Sequence, residues 1–176
     1  MIIPTVGRET LSRAIASASW ADEVIVVFDA ASVPVDAPAD VRVLACGPSG
    51  NWGAEQRTLG MATATGSHLA FLDDDDEYAP EACGVVLRAL TARPGRVHIF
   101  KMRNRDRVYG GYGCVWDGGI GSPMFVVPND GATGEWTTRY QGDFDFIKST
   151  LARRRRGPRF HEEVIAIIRP HEVVHA

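Results

Sequence analysis

Residues 68–77 constrain this chain more than any other stretch. A short apolar run, Leu69, Ala70, Phe71 and Leu72, ends in four consecutive aspartates, Asp73, Asp74, Asp75 and Asp76. A brief apolar run bounded by polar residues reads as a buried strand. Acidic residues at the C-terminal end of such a strand lie where open α/β sheets place their ligands. Adjacent carboxylates repel one another unless they are solvated, protonated or neutralised by a cation. Their oxygens suit hard divalent cations such as Mg2+ or Mn2+, and Mg2+ is usually shared with substrate phosphates. One reading of the run is therefore a metal-and-phosphate site. The other is a helix start, because Asp and Glu favour the first turn of a helix and Pro80 follows closely.

The flanking sequence favours a strand setting. Residues 1–3 form an apolar run stopped by Pro4, and residues 23–28 and 41–45 read as two further strands. Pro34 and Pro38 mark the loop between those two. Helical spacing through Leu11, Ala14, Ile15 and Ala18, a helix over about residues 54–64 with Gly66 beyond it, and a helix over 80–92 complete an alternation. Strands alternating with helices predict an α/β domain with a mostly parallel, Rossmann-like sheet flanked by helices. The second half is less regular, with strands expected over 97–102, 124–127 and 164–168. A short helix is expected over 142–151, entered through Asp143. At 176 residues, 45% hydrophobic and 23% charged, the chain reads as one soluble globular domain spanning 1–176. A net charge of −3 gives no general reason to expect nucleic acid or a membrane surface as partner. Cys46, Cys83 and Cys114 are far apart and form no C-x-x-C, so neither a disulfide framework nor a zinc motif is indicated. They read as reduced thiols of a cytoplasmic protein, and no apolar run approaches the roughly 20 residues that span a bilayer.

Four elements in order carry a family resemblance: IPTVGRETLSRAI, DEVIVVFDAAS, NWGAEQRTLGMATATG and FLDDDDEYAPEA. Together they resemble family 2 glycosyltransferases, inverting enzymes of the GT-A fold that use a nucleotide-sugar donor. QGDFDF in the second half is similar to the segment that carries that family's catalytic base. The resemblance implies a nucleotide-sugar-binding half over 1–92 and an acceptor and catalytic-base half over 93–176. It implies that Asp73 and Asp75 form the D-x-D that holds Mn2+ or Mg2+ against the donor diphosphate, with Asp74 at the ribose. It places Thr5 and Arg8 against base and phosphate, Asp29 on the base and Arg57 on the nucleotide. Asp143 is the expected general base, with Asp145 as runner-up, and His161 is a candidate third metal ligand. The implied partners are a UDP-, GDP- or dTDP-linked sugar and an acceptor hydroxyl of open identity, with oligomeric state also open.

Each position also has a structural reading. Asp29 is a common turn residue after a strand, Asp143 a favoured helix N-cap, and Asp76 and Glu77 are suited to capping the helix that follows. Residues 153–156 are all arginine. They suit a helix C-terminus, a clamp on a diphosphate or a patch for an anionic acceptor. Trp116 and Trp136 are candidates for stacking on an acceptor sugar. Phe28 stands where the family usually has an aspartate, which leaves a GT-A-like module that binds without chemistry as the alternative function. A haloacid-dehalogenase-type phosphatase also uses D-x-D, but on its first strand. A nucleotidyltransferase would need an N-terminal glycine-rich basic loop that this chain lacks.

Overall fold

A computed structural model of the chain describes residues 1–29 and 39–171. The loop expected around Pro34 and Pro38 lies outside the described residues. Three strands, β1 (Ile2–Thr5), β2 (Val24–Asp29) and β3 (Val41–Cys46), pair in parallel in that order. The apolar run after β4 (His68–Ala70) continues the layer beside β1. Phe71 bridges Ile2 in parallel, and the Leu72 N–H donates to the Ile2 carbonyl at 3.1 Å.

Beyond β4 the directions mix. β8 (Phe125–Pro128) runs antiparallel to both β4 and β6 (His98–Asn104). β9 (Arg159–Ile168) runs parallel to β6, and the two-residue β5 (Glu77–Tyr78) closes the far edge antiparallel to β9. β7 (Arg107–Tyr109) folds back on the end of β6. The parallel arrangement read from the sequence thus holds from β3 to Phe71, and the second half alternates direction.

Among the described residues four helices cover the sheet: α1 (Leu11–Ser17), α2 (Ala54–Thr63), α3 (Ala82–Ala92) and α4 (Gly142–Ala152). The two-residue period of strands sorts the core into two layers. Ile3, Ala70, Leu72 and Phe100 face the side of α1 and α3, with Ala14, Val85 and Val86. Ile2, Leu69, Phe71 and Ile99 face the side of α4, with Phe146 and Ile147. Both faces are therefore filled, and β1 and β2 read as continuous apolar runs for that reason.

Pro4 falls inside β1, paired with Val27, rather than ending it. Strand residues offer their backbone groups to alternate sides. Ile2 serves the Leu72 side, so Pro4 faces the same side, where the neighbouring chain has already turned into the aspartates. No ladder bond is lost there. On the other side of Ile2 sits Gly60 of α2. A Cβ there would lie 2.6 Å from Ile2 Cγ2, and Ile2 is fully buried. Gly60→Ala is expected to cost about 1–3 kcal/mol through overpacking, read as a lower midpoint in urea unfolding. An unchanged midpoint would show that Ile2 gives way freely.

Candidate active site

The C-terminal ends of β1 and β2, the aspartate run, the start of α2, the loop over residues 118–123 and the start of α4 converge on one cleft of about 580 Å3. Thr5, Arg8, Asp29, Arg57, Asp73, Asp74, Asp75 and Asp143 all line it. The runner-up base Asp145 is outside this lining, and so is the expected third metal ligand, His161. Its ring stacks on Phe100 with centroids 4.4 Å apart, and its Nε2 lies 2.9 Å from His98 Nδ1. The residue that joins Asp73 and Asp75 is instead Asp76, because the tight turn after Leu72 curls it back under the run. Carboxylate oxygens of these three lie within 4.8 Å of one another.

The four aspartates are held in four different ways. Asp74 is buried, accepts from Thr5 Oγ1 at 2.6 Å and is paired with the half-exposed guanidinium of Arg8. Its carboxylate thereby fixes the loop after β1, whose next turn is closed by Gly7 N–H donating to Thr5 Oγ1 at 2.8 Å. Asp73 is paired with Arg57 and accepts weakly from Ser122 Oγ at 3.4 Å. Asp75 lies 3.4 Å from Arg169 Nε. Asp76 is buried and accepts the Arg169 backbone N–H at 3.0 Å. Asp76 therefore does not cap α3, and Glu77 is in β5; the N-cap of α3 is Glu81.

Electrostatics separate the run further. Burial raises the carboxyl of Asp75, and neighbouring Asp73 adds to the rise. Burial, with Asp73 and Asp75 nearby, pushes Asp76 up to about 8 against the opposing N–H of Arg169. The carboxyls of the run thus resist ionising together. Three convergent carboxylate oxygens suit a hard divalent cation, whose charge would let all three ionise.

Arg57 joins the cluster to the other side of the cleft. It is buried, donates to the Trp52 carbonyl at 2.7 Å, pairs with Asp73 and lies 4.6 Å above the Trp136 ring. Trp136 in turn stacks on Phe146 of α4 at 4.6 Å and 9°. This approach requires Gly53, which has a φ of +78°. A Cβ there would meet Arg57 Nη1 at 2.6 Å and Pro4 Cβ at 3.1 Å. Trp136 is thus fixed under Arg57 within an aromatic cluster that also contains Phe71 and Phe125.

Asp143 sits in the first turn of α4, two residues past the N-cap, which is Gln141. Burial pushes its carboxyl up to about 7. The Arg57 charge pulls it down, Asp73 pushes it up, and the Ser122 backbone N–H donates to it. A carboxyl so placed can exchange a proton near neutral pH. Asp145, one helical step on, faces away. It accepts from Thr137 Oγ1 at 2.6 Å and from Arg139 Nη1 at 3.1 Å. Asp29 accepts backbone N–H groups from Ser49 at 2.7 Å and Gly50 at 3.3 Å, which orders the loop before α2 at the cleft edge. Phe28 is buried in the core and adds no group to the cleft.

The arginine run is largely structural at its start. Arg153 donates to the Thr133 carbonyl and to Glu135, and Arg154 pairs with Asp130 at 2.9 Å, tying the loop before α4 to that helix's end. Arg155 and Arg156 are exposed, and none of the four lines the cleft. Trp116 is likewise outside it, whereas exposed Trp52 and Tyr140 meet edge to face at its mouth, 5.1 Å apart. Sequence reasoning missed Gln56, Ser122, Arg139 and Arg169 as cleft residues. Arg169 had a legible signal, a basic residue directly after a strand. Gln56 lies within the quoted NWGAEQRTLGMATATG stretch at a position its pattern leaves open, and no motif covers Ser122 or Arg139.

The architecture is that of GT-A enzymes. The structure of S. aureus TarS matches 95% of this chain and 36% of that chain with a TM-score of 0.72 and 14% identity. S. aureus TarS 1–349 in complex with UDP-GlcNAc matches 99% of this chain and 59% of that chain, with a TM-score of 0.69 and 17% identity. The glycosyl transferase family 2 model matches residues 1–156, and the chain belongs to that family. An uncharacterized glycosyltransferase of Haemophilus influenzae (strain ATCC 51907 / DSM 11121 / KW20 / Rd) is 37% identical over 62 residues, 35% of this chain and 21% of that protein. The chain therefore spans only part of the length of each of these proteins. The cysteines are free, and among the described residues no helix is long and apolar enough to cross a membrane.

Proposed function

We propose that the chain is a metal-dependent inverting glycosyltransferase that moves a sugar from a nucleotide-diphosphate sugar to an acceptor hydroxyl. The observation that carries this reading is the shared cleft. A carboxyl poised near neutrality, Asp143, and a cation-fitting carboxylate cluster face the same space and are joined through Arg57. Family membership supports it, and the UDP-GlcNAc bound by TarS makes UDP-sugars the first donors to test.

In this reading Asp29 accepts an N–H from the nucleobase, and the Arg8 and Arg57 guanidiniums face the diphosphate, for which their planar fork is suited. Asp73 and Asp75, with Asp76 completing the set, hold Mn2+ or Mg2+. A cation held there neutralises the charge that gathers on the departing nucleoside diphosphate. Asp74 acts by positioning, since its oxygens are taken by Thr5 and Arg8. Asp143 accepts the acceptor hydroxyl's proton as that oxygen bonds to the anomeric carbon. The bond to the nucleotide oxygen breaks on the opposite face, so the configuration inverts. The charge of Arg57 favours the ionised form of Asp143 that this step needs.

The test is a panel of UDP-, GDP- and dTDP-sugars incubated with Mn2+, scored for released nucleoside diphosphate. The anomer of the first-formed sugar product is read by proton NMR. Release that needs the cation and gives the inverted anomer is expected. Nucleotide binding without any release would favour a binding module, and a retained anomer would remove Asp143 as the base.

A further inference from the structure

Gln56 supplies the cleft with a polar group that none of the ion pairs uses. It is 2% exposed, it lines the cleft, and its Oε1 has no hydrogen-bond partner. A buried acceptor left unpaired is costly, and native folds rarely tolerate one unless a ligand or water completes it. We propose that Gln56 reads the nucleobase of the donor through its carboxamide, an inference that rests on the nucleotide-sugar reading of the cleft.

The direction of α2 places this group. Its start at Gly53 lies against Pro4 and its later turn at Gly60 lies against Ile2, so the helix descends from the cleft along β1. Gln56 follows Gly53 by three residues and precedes Gly60 by four, which puts all three on the face turned to the sheet. Side chains on a helix lean toward its N-terminus, here toward the cleft. Gln56 therefore reaches up beneath the ends of β1 and β2, the side that carries Thr5 and Asp29. The arginine–aspartate pairs of Arg57 with Asp73 and Arg8 with Asp74 lie with the carboxylate cluster.

The chemistry selects the base rather than the phosphates. An unpaired carbonyl oxygen repels a phosphate and attracts an N–H. A carboxamide presents an acceptor and a donor side by side. It matches a ring N–H next to a carbonyl: N3–H with O4 in uracil and thymine, or N1–H with O6 in guanine. Asp29 alone would not read such an edge, because a carboxylate only accepts. A ribose hydroxyl is the other donor within a nucleotide, and the test separates the two.

Binding of UDP, GDP, dTDP, ribose 5-phosphate and inorganic pyrophosphate, each with Mn2+, is measured by calorimetry for the unsubstituted chain, Gln56→Met and Gln56→Ala. Methionine keeps the length and packing while removing both hydrogen-bonding groups. The tightest of UDP, GDP and dTDP is expected to weaken by about 10- to 100-fold in both variants. Pyrophosphate binding stays within about twofold, which also shows that the variants are folded. Ribose 5-phosphate, which keeps the ribose but has no base, changes far less than the preferred nucleotide. Equal losses for that nucleotide and ribose 5-phosphate would assign Gln56 to the ribose and overturn the proposal. So would equal losses for nucleotides and pyrophosphate, or no loss at all. If the unsubstituted chain binds no nucleotide more tightly than pyrophosphate, the nucleotide-sugar reading itself falls and this inference falls with it.

Discussion

Asp143→Asn lowers glycosyl transfer by about 10²- to 10⁴-fold, the range expected when a positioned base is removed, while nucleotide and Mn2+ affinities change little. Asparagine keeps the size of the side chain and can still accept the Ser122 N–H, so the start of α4 is undisturbed. What is lost is the capacity to take a proton. The unsubstituted chain should show an acid limb in kcat/KM that bends near pH 7, because burial has raised this carboxyl to about 7. Below that bend the rate falls toward tenfold per pH unit as the base becomes protonated. The stability effect has the opposite sense. A carboxyl whose folded-state value is raised binds its proton more tightly in the folded chain than in the unfolded one. Its contribution to stability is therefore lost as pH rises from the ordinary carboxylate range through about 7. At pH 8 the variant should unfold at an equal or higher denaturant concentration than the parent. A variant that is both slow and clearly destabilised would point to a packing role instead.

Asp75→Asn gives the second large loss, about 10²- to 10³-fold in turnover, comparable to removing one preorganised electrostatic contact. The distinguishing readout is the cation. Mn2+ should raise the unfolding midpoint of the parent chain by mass action, and that rise should shrink or vanish in the variant. Without added cation the variant should be no less stable than the parent, since Asp75 is a half-buried carboxyl raised by burial and by Asp73. EDTA should abolish turnover in the parent, and excess Mn2+ should restore it. Full turnover in EDTA, or a variant close to the parent, would remove the cation from the reaction.

The wall of the cleft built by β1, β2 and the aspartate run was legible because its signals are local. Apolar runs over β1, β2 and β4 mark strands buried on both faces, and aspartates or threonine at their ends fall at the sheet's C-terminal edge for geometric reasons alone. Helix α4 was legible from its apolar spacing, although its cap is Gln141 rather than Asp143, which only the QGDFDF resemblance marked out. The remainder depends on pairing between distant segments. β9 spans Arg159–Ile168, but its first half carries His161, Glu162 and Glu163 and gives no buried-strand pattern. The β6–β7 hairpin turns through Arg105, at φ +53°, without the glycine that usually announces such a turn. His161 was expected at the metal because the resemblance allows a late histidine there, but sequence position says nothing of direction, and this one stacks with His98 and Phe100. Asp76 was read as a cap because capping depends on where the next helix begins, and a two-residue strand intervenes.

The insertion of β8 between β4 and β6 has a consequence for how the chain can be divided. Residues 1–92 carry Asp29, Arg57 and the aspartate cluster, and so look like a portable nucleotide-binding unit. Yet β4 takes its second neighbour from β8, and Phe71, beside the aspartates, packs on Phe125, Trp136 and Phe146. A fragment cut after residue 92 would expose one whole flank of β4 and strip Arg57 of Trp136. Such an open edge is a template for pairing with other chains. Grafting this cleft elsewhere therefore means transplanting the interleaved strands as well, and the practical unit for fusion or domain exchange is the whole sheet.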